Sequence, residues 1–210
     1  MASRRYSFRM NSQWEDFLNP DVVRRRFATA GLYLVAHEML VASIKEPIIE
    51  FFSEKWSEKK DWHFSDQYRR EVLALDPKGK EDVLRGSISW LDKMEVIDTD
   101  DLKIIEELTC ARNFFAHELR SVISTGEMPE FERLFPKIVY LVTKIDRWWV
   151  INVEMAVDEN WADDEEVEPQ NVTPGTTLLL QILEQVAIGE GEAAWELYRA
   201  FINDQRKRRH

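Results

Sequence analysis

The reading turns on residues 104–123: Ile104-Ile105-Glu106-Glu107-Leu108-Thr109-Cys110-Ala111-Arg112-Asn113-Phe114-Phe115-Ala116-His117-Glu118-Leu119-Arg120-Ser121-Val122-Ile123. Ile104, Leu108, Ala111, Phe115, Leu119 and Val122 recur at helical spacing and predict one buried stripe. Arg112, Asn113 and His117 lie off it. Asn113 and His117 are four apart and share one side of a helix. Arg112 is five before His117, so the two stand roughly 140° apart around a straight helix. They converge more easily if the helix bends, or if a second copy of the chain supplies one of them. The three residue types suit phosphodiester cleavage. Arginine offers a permanently charged fork for phosphate oxygens. Histidine moves protons near neutral pH. Asparagine can orient either one, and the scheme needs no metal.

The neighbouring stretches are helical too. Asn19-Pro20-Asp21 reads as a helix start, with Asn as cap and Pro in the first position. A long pattern follows through Val23, Phe27, Leu34, Glu38, Val41 and Ile44, with small residues Ala28, Ala30 and Gly31 inside it. Pro47 is expected to kink or restart this helix. Glu38 falls among core positions; it either pairs with a buried cation such as Arg112 or turns to solvent. Glu81 to Val96 reads as a helix, and Asp98-Thr99-Asp100-Asp101 starts the motif helix, whose end is expected near Ser124-Thr125-Gly126. A long helix from Met128-Pro129 runs to Val153. Its Trp148-Trp149 pair, beside Arg147, serves either to stack bases or to pack against neighbouring helices. Asp76-Pro77-Lys78-Gly79-Lys80 is a turn, and Trp62, Phe64 and Tyr68 mark a short, partly buried element. The expected fold is all-α: an up-and-down bundle of four or more helices with a C-terminal helical hairpin. Residues 1–157 form the bundle, 158–171 an acidic loop, and 172–210 the hairpin and a basic tail packed on the same domain.

The 210 residues suffice for one domain with a sizeable core, and 44% apolar content with eight Trp and eleven Phe excludes a disordered chain. Seven Gly and seven Pro are too few for a sandwich of many tight turns. The net charge of −11 argues against non-specific wrapping of nucleic acid. Its spread is uneven. Asp158, Glu159, Asp163, Asp164, Glu165, Glu166 and Glu168 carry most of it, whereas the first 26 residues hold six Arg and the chain ends Arg206-Lys207-Arg208-Arg209-His210. Cys110 is the single cysteine, which fits a reducing compartment. With no apolar leader and no stretch judged long and apolar enough to span a bilayer, the expectation is a cytoplasmic protein without membrane contact. No P-loop, G-x-G-x-x-G, Glu-x-x-His pair or Cys/His cluster occurs, so neither a cofactor nor a metal is expected.

Arg112-Asn113-Phe114-Phe115-Ala116-His117 resembles the R-x4-6-H motif of the HEPN superfamily, including the polar residue after the arginine. Residues 31–40 resemble, more loosely, the first long helix of some HEPN defence proteins. The resemblance implies an all-helical, metal-independent endoribonuclease of a toxin–antitoxin or phage-defence kind. It implies a homodimer whose two motifs line one cleft, with tRNA or mRNA as substrate and an antitoxin or other protein as partner. Arg112, Asn113 and His117 become the catalytic residues. Glu106, six before Arg112, matches an acidic residue found upstream of the arginine in some members, so Glu38 and Glu106 are the candidate supports for Arg112. Leu119 departs from one toxin branch, which has tyrosine there, so regulation by tyrosine modification is not implied. The competing reading is a catalytically inactive HEPN-like module that binds a protein partner; the overall acidity favours it.

Overall fold

In a computed structural model, the structure describes residues 14–52, 64–157 and 168–189, with 192, 195–196, 198–200 and 202–203 of the C-terminal segment. The N-terminal arm through residue 13, Trp62, His63, most of the acidic loop and the basic tail lie outside them. Among the described residues every regular element is helical, so the fold class is all-α.

The long helix α1, Pro20–Phe51, is the axis of the molecule. Its start is the one read from sequence: Asn19 Oδ1 accepts from the Asp21 amide at 3.0 Å and Pro20 fills the first position. Tyr33, Ala36, Leu40, Ile44 and Ile48 are almost wholly buried, a 3.6-residue stripe. Pro47 does not restart the helix, which runs on through it to Phe51. Ile48, with no exposed surface, and Phe52, set edge-on to Tyr68 and Trp90, anchor the chain beyond the proline and outweigh its cost of about 3 kcal/mol.

Around α1 stand α2 (Asp66–Glu71), α3 (Val83–Lys93), α4 (Thr99–His117), α5 (Leu119–Thr125), α6 (Phe131–Trp149) and α7 (Gly175–Ile188). All but α2 pack directly on α1. Asp82, not Glu81, caps α3: its side chain accepts from the Arg85 amide, while Glu81 sits at a positive φ of 53°. At the start of α4, Asp98 and Asp101 form the reciprocal capping box, and Lys144 of α6 bridges both carboxylates. Asp76 organises the turn before α3. It accepts from the amides of Lys78, Lys80 and Asp82 and from Arg85 Nε at 2.7 Å and Nη2 at 3.0 Å.

Two expected helices are each divided. The motif helix ends at His117; Glu118 leaves helical geometry at φ −106°, ψ 20°, and α5 begins at Leu119. Residues 116–118 are exposed, so no packing holds the turn regular, and the reset keeps Val122 fully buried on the α1 side. The expected terminus at Gly126 holds: it is left-handed, φ 77°. The last long helix is regular from Phe131 to Trp149, then widens into a π-turn over Val150–Glu154 before one more α-turn. Trp149 stacks on Trp90 at 5.8 Å and 11°, and Trp148 meets Trp90 edge-on, so this pair packs within the core instead of presenting faces to bases.

One expectation about membranes is corrected. Helix α1 contains an 18-residue window of mean hydropathy 1.5 and is long and apolar enough to cross a bilayer by those measures. The physical reason is its central position. A helix that others surround is apolar on most sides, and half of that window is buried within the protein.

Candidate active site

The site grows out of the crossing of α1 and α4. Beneath the surface Tyr33 Oη donates to the Leu108 carbonyl at 3.0 Å, and the Tyr33 ring lies against Phe115 with centroids 4.6 Å apart. Burial pushes the Tyr33 phenol well above its ordinary range, with a further push from the Glu107 charge. Tyr33 therefore acts as a neutral clamp that fixes one helix against the other. Leu108, Ala111 and Phe115 are buried as the periodicity requires, and Ile104 and Leu119 half-buried.

Asn113 and His117 emerge on the side of α4 away from the buried stripe, whereas Arg112 lies at the edge of that stripe, half-buried and facing α1. Arg112 is the most enclosed of the three, with 37% of its side chain exposed. Its Nη2 donates to Glu38 Oε1 of α1 at 3.4 Å, and its Nη1 to Asn113 Oδ1 at 3.4 Å. Both contacts exceed the 2.7–2.9 Å usual for charge-assisted bonds, so the guanidinium is tethered loosely. Asn113 is exposed, and His117 is exposed at the last residue of α4. The structure thus brings Glu38 to Arg112, as one of the two sequence alternatives held. Glu38 also faces solvent, with 64% of its side chain exposed, because the α1 stripe turns away from it.

Glu106 is exposed and makes no ion pair among the described residues; Arg112 takes its carboxylate from α1. The structural acid of this turn is the next residue. Glu107 bridges Arg133 and Lys137 of α6, and Lys137, then Arg133, holds its carboxyl below the usual range.

His37 joins this neighbourhood without having been singled out for it. It is 6% exposed, and its Nδ1 has no hydrogen-bond partner among the described residues. Burial pushes its pKa down; the Glu38 charge opposes that and the Arg112 charge adds to it. The signal was its spacing from Tyr33, Leu40 and Ile44, which placed it on the buried stripe beside an exposed Glu38.

Two depressions flank the α1 surface. A shallow groove of about 510 Å³ runs along Leu34, Val35, Glu38, Met39, Ala42 and Glu46. A second, of about 590 Å³, lies between α1, the π-turn and the start of α7; Glu46, Glu50, Asp146 and Glu154 line it, and no Lys or Arg among the described residues does. Burial raises the Asp146 carboxyl against hydrogen bonds from Ser43 and Thr176, with the Glu154 charge adding to the rise. A lining with four acids does not suit phosphate. No group of three or more His, Cys, Asp or Glu fit to hold a metal occurs among the described residues.

Comparisons with family models, with curated proteins and with solved structures give no match in any of the three.

Proposed function

We propose that this protein is a metal-independent endoribonuclease of HEPN type, working as a cytoplasmic homodimer in a toxin–antitoxin or phage-defence setting. One observation supports the reading: Arg112 contacts both Asn113 and Glu38 at the crossing of α4 and α1, and His117 is exposed at the end of the same helix. In this mechanism His117 takes the proton from a ribose 2′-hydroxyl or gives one to the leaving 5′-oxygen. Arg112 exchanges Glu38 for the phosphate and stabilises charge as it builds on the nonbridging oxygens. Asn113 keeps the fork directed. The products are a 2′,3′-cyclic phosphate and a 5′-hydroxyl.

In this reading a second copy supplies the wall opposite these residues. Exposed apolar residues on the same two helices support this: Phe27 and Val35 of α1 and Phe114 of α4 are 54%, 49% and 36% exposed, and Gly31 of α1 has open space above it. The helices are taken as an up-and-down bundle, with 172–210 as its hairpin.

The test incubates purified protein with total RNA and tRNA, beside Arg112→Ala and His117→Ala. Cleavage that vanishes in both folded variants and survives EDTA is expected. Activity that persists in His117→Ala, or stops with EDTA, overturns the mechanism.

A second reading, a catalytically silent module for a protein partner, draws on the four-acid depression, which suits a basic partner segment better than RNA. Wild-type protein that leaves all RNA intact while retaining a basic protein from its own cell selects it.

A further inference from the structure

The depression between α1, the π-turn and the start of α7 combines two kinds of surface. Its acids come from separate elements. Glu46 and Glu50 are four apart and share one side of α1, and Glu154 belongs to the π-turn. All three are exposed, and none forms an ion pair among the described residues. Like charges at this spacing repel, so the site lacks a cation. The rest of the lining is apolar and aromatic. Met39, Phe51, Val150 and Val153 contribute to it, and Phe51 meets Trp149 with ring centroids 5.9 Å apart. Trp149 also lines the depression and is 5% exposed, yet its Nε1 has no hydrogen-bond partner among the described residues. A donor left unpaired on a side chain so deeply buried is uncommon, because its desolvation goes uncompensated. It calls for an acceptor.

We infer that this depression binds a small organic cation: an aliphatic amine whose far end is a neutral amide, of the acylated-diamine class. The ammonium stands among Glu46, Glu50 and Glu154, with the Phe51 ring beside it. The methylene chain lies along Met39 and Val153, and the amide oxygen accepts from Trp149 Nε1. The lining selects this class over its competitors. Carboxylates without Lys or Arg turn away anions. A bare metal ion wants a shell of oxygens, and no group of side chains fit to hold one occurs among the described residues. A plain diamine leaves the indole N–H unpaired and sets a second charge against apolar wall. The space, about 590 Å³ walled by three elements, falls in the range of small-ligand pockets and is not a strip for an extended peptide. The π-turn that forms one wall is a backbone irregularity frequent at functional sites. For so small a ligand the dissociation constant is on the order of 0.1–1 mM. The site is separate from Arg112 and His117, neither of which lines it, so it stands independently of the nuclease reading.

Isothermal titration calorimetry of the full chain with N-acetylputrescine at low salt tests it. Saturable one-to-one binding is expected. Glu50→Gln and Glu154→Gln, both at exposed positions, should each raise the dissociation constant at least about threefold, with helical circular dichroism unchanged. Trp149→Phe keeps a ring and removes the donor. It should weaken N-acetylputrescine at least about threefold and leave putrescine within about twofold of wild type. His117→Ala should bind as wild type does, whatever becomes of RNA cleavage. Absence of binding up to about 10 mM N-acetylputrescine overturns the proposal. So does binding that the Glu50 and Glu154 substitutions leave unchanged, putrescine binding as tightly as N-acetylputrescine, or displacement of the ligand by an equal concentration of magnesium chloride. Trilysine that binds at least about tenfold more tightly than N-acetylputrescine, and weakens in the same variants, assigns the depression to a basic protein segment instead and likewise overturns it.

Discussion

Replacing Glu38 by Gln separates a functional role of the Arg112 contact from a structural one. The pair is 3.4 Å apart with side chains 37% and 64% exposed. At that separation two unit charges in water attract by about 1 kcal/mol, and exposed pairs of this kind contribute roughly 0.2–1 kcal/mol to stability. A chain of this length shifts its melting temperature by about 2–4 °C per kcal/mol. Glu38→Gln should therefore lower Tm by no more than about 4 °C. Its effect on anion binding has the opposite sign. If Arg112 takes phosphate as proposed, Glu38 competes for the same guanidinium, and removing its charge should tighten binding of a short RNA by up to about fivefold, since 1.4 kcal/mol corresponds to tenfold. The gain should shrink toward 1 M salt, where screening acts within about 3 Å. Fluorescence anisotropy of a labelled oligoribonucleotide measures this in a His117→Ala background, which removes the proposed proton-transfer group. Unchanged or weaker binding would refute the idea that Arg112 is held ready for phosphate. A fall in Tm beyond about 10 °C would refute the loose-tether description itself.

Other outcomes follow from the packing and the charges. Phe115→Ala removes a fully buried ring stacked near Tyr33 and should cost about 3–5 kcal/mol; Phe114→Ala, one residue away and 36% exposed, should stay within about 1 kcal/mol by urea unfolding. Gly126→Ala should destabilise by about 1–2 kcal/mol from its positive φ alone. It costs more because the new Cβ would stand 2.6 Å from Arg26 Nη2, displacing the guanidinium that donates to the Ile123 carbonyl. The Asp76 carboxyl is held well below the usual carboxylate range by Arg85 and then by backbone amides. Its stabilisation is complete above the unfolded value of about 3.9 and is lost as pH falls below it. Urea midpoints measured downward from pH 5 should thus fall more steeply for wild type than for Asp76→Asn.

What the residue order revealed here, and what it hid, divides along local and non-local physics. Caps are local chemistry: Asn19, Asp98 and Gly126 specify their helix ends through neighbours two to four residues away, and all three stand as read. Periodicity is nearly local, so the buried side of 104–122 was legible, and with it that Arg112, Asn113 and His117 lie off that side. The Glu38 contact was half legible, because a carboxylate on a long apolar helix either finds a cation or faces water, and here it does both. The hidden features depend on contacts distant in sequence. Proline 47 breaks a lone helix, yet the burial of Ile48 and Phe52 carries α1 through it. The interruption at Glu118 arises because exposed residues on one side leave the turn free to reset for Val122. Glu107 outranks Glu106 as a charge partner only because α6 brings Arg133 and Lys137 beside it. His117 sits where α4 loses its regular geometry, so its ring direction is set by a break that periodicity does not encode, and what stands opposite that ring decides whether it meets a ribose or only water.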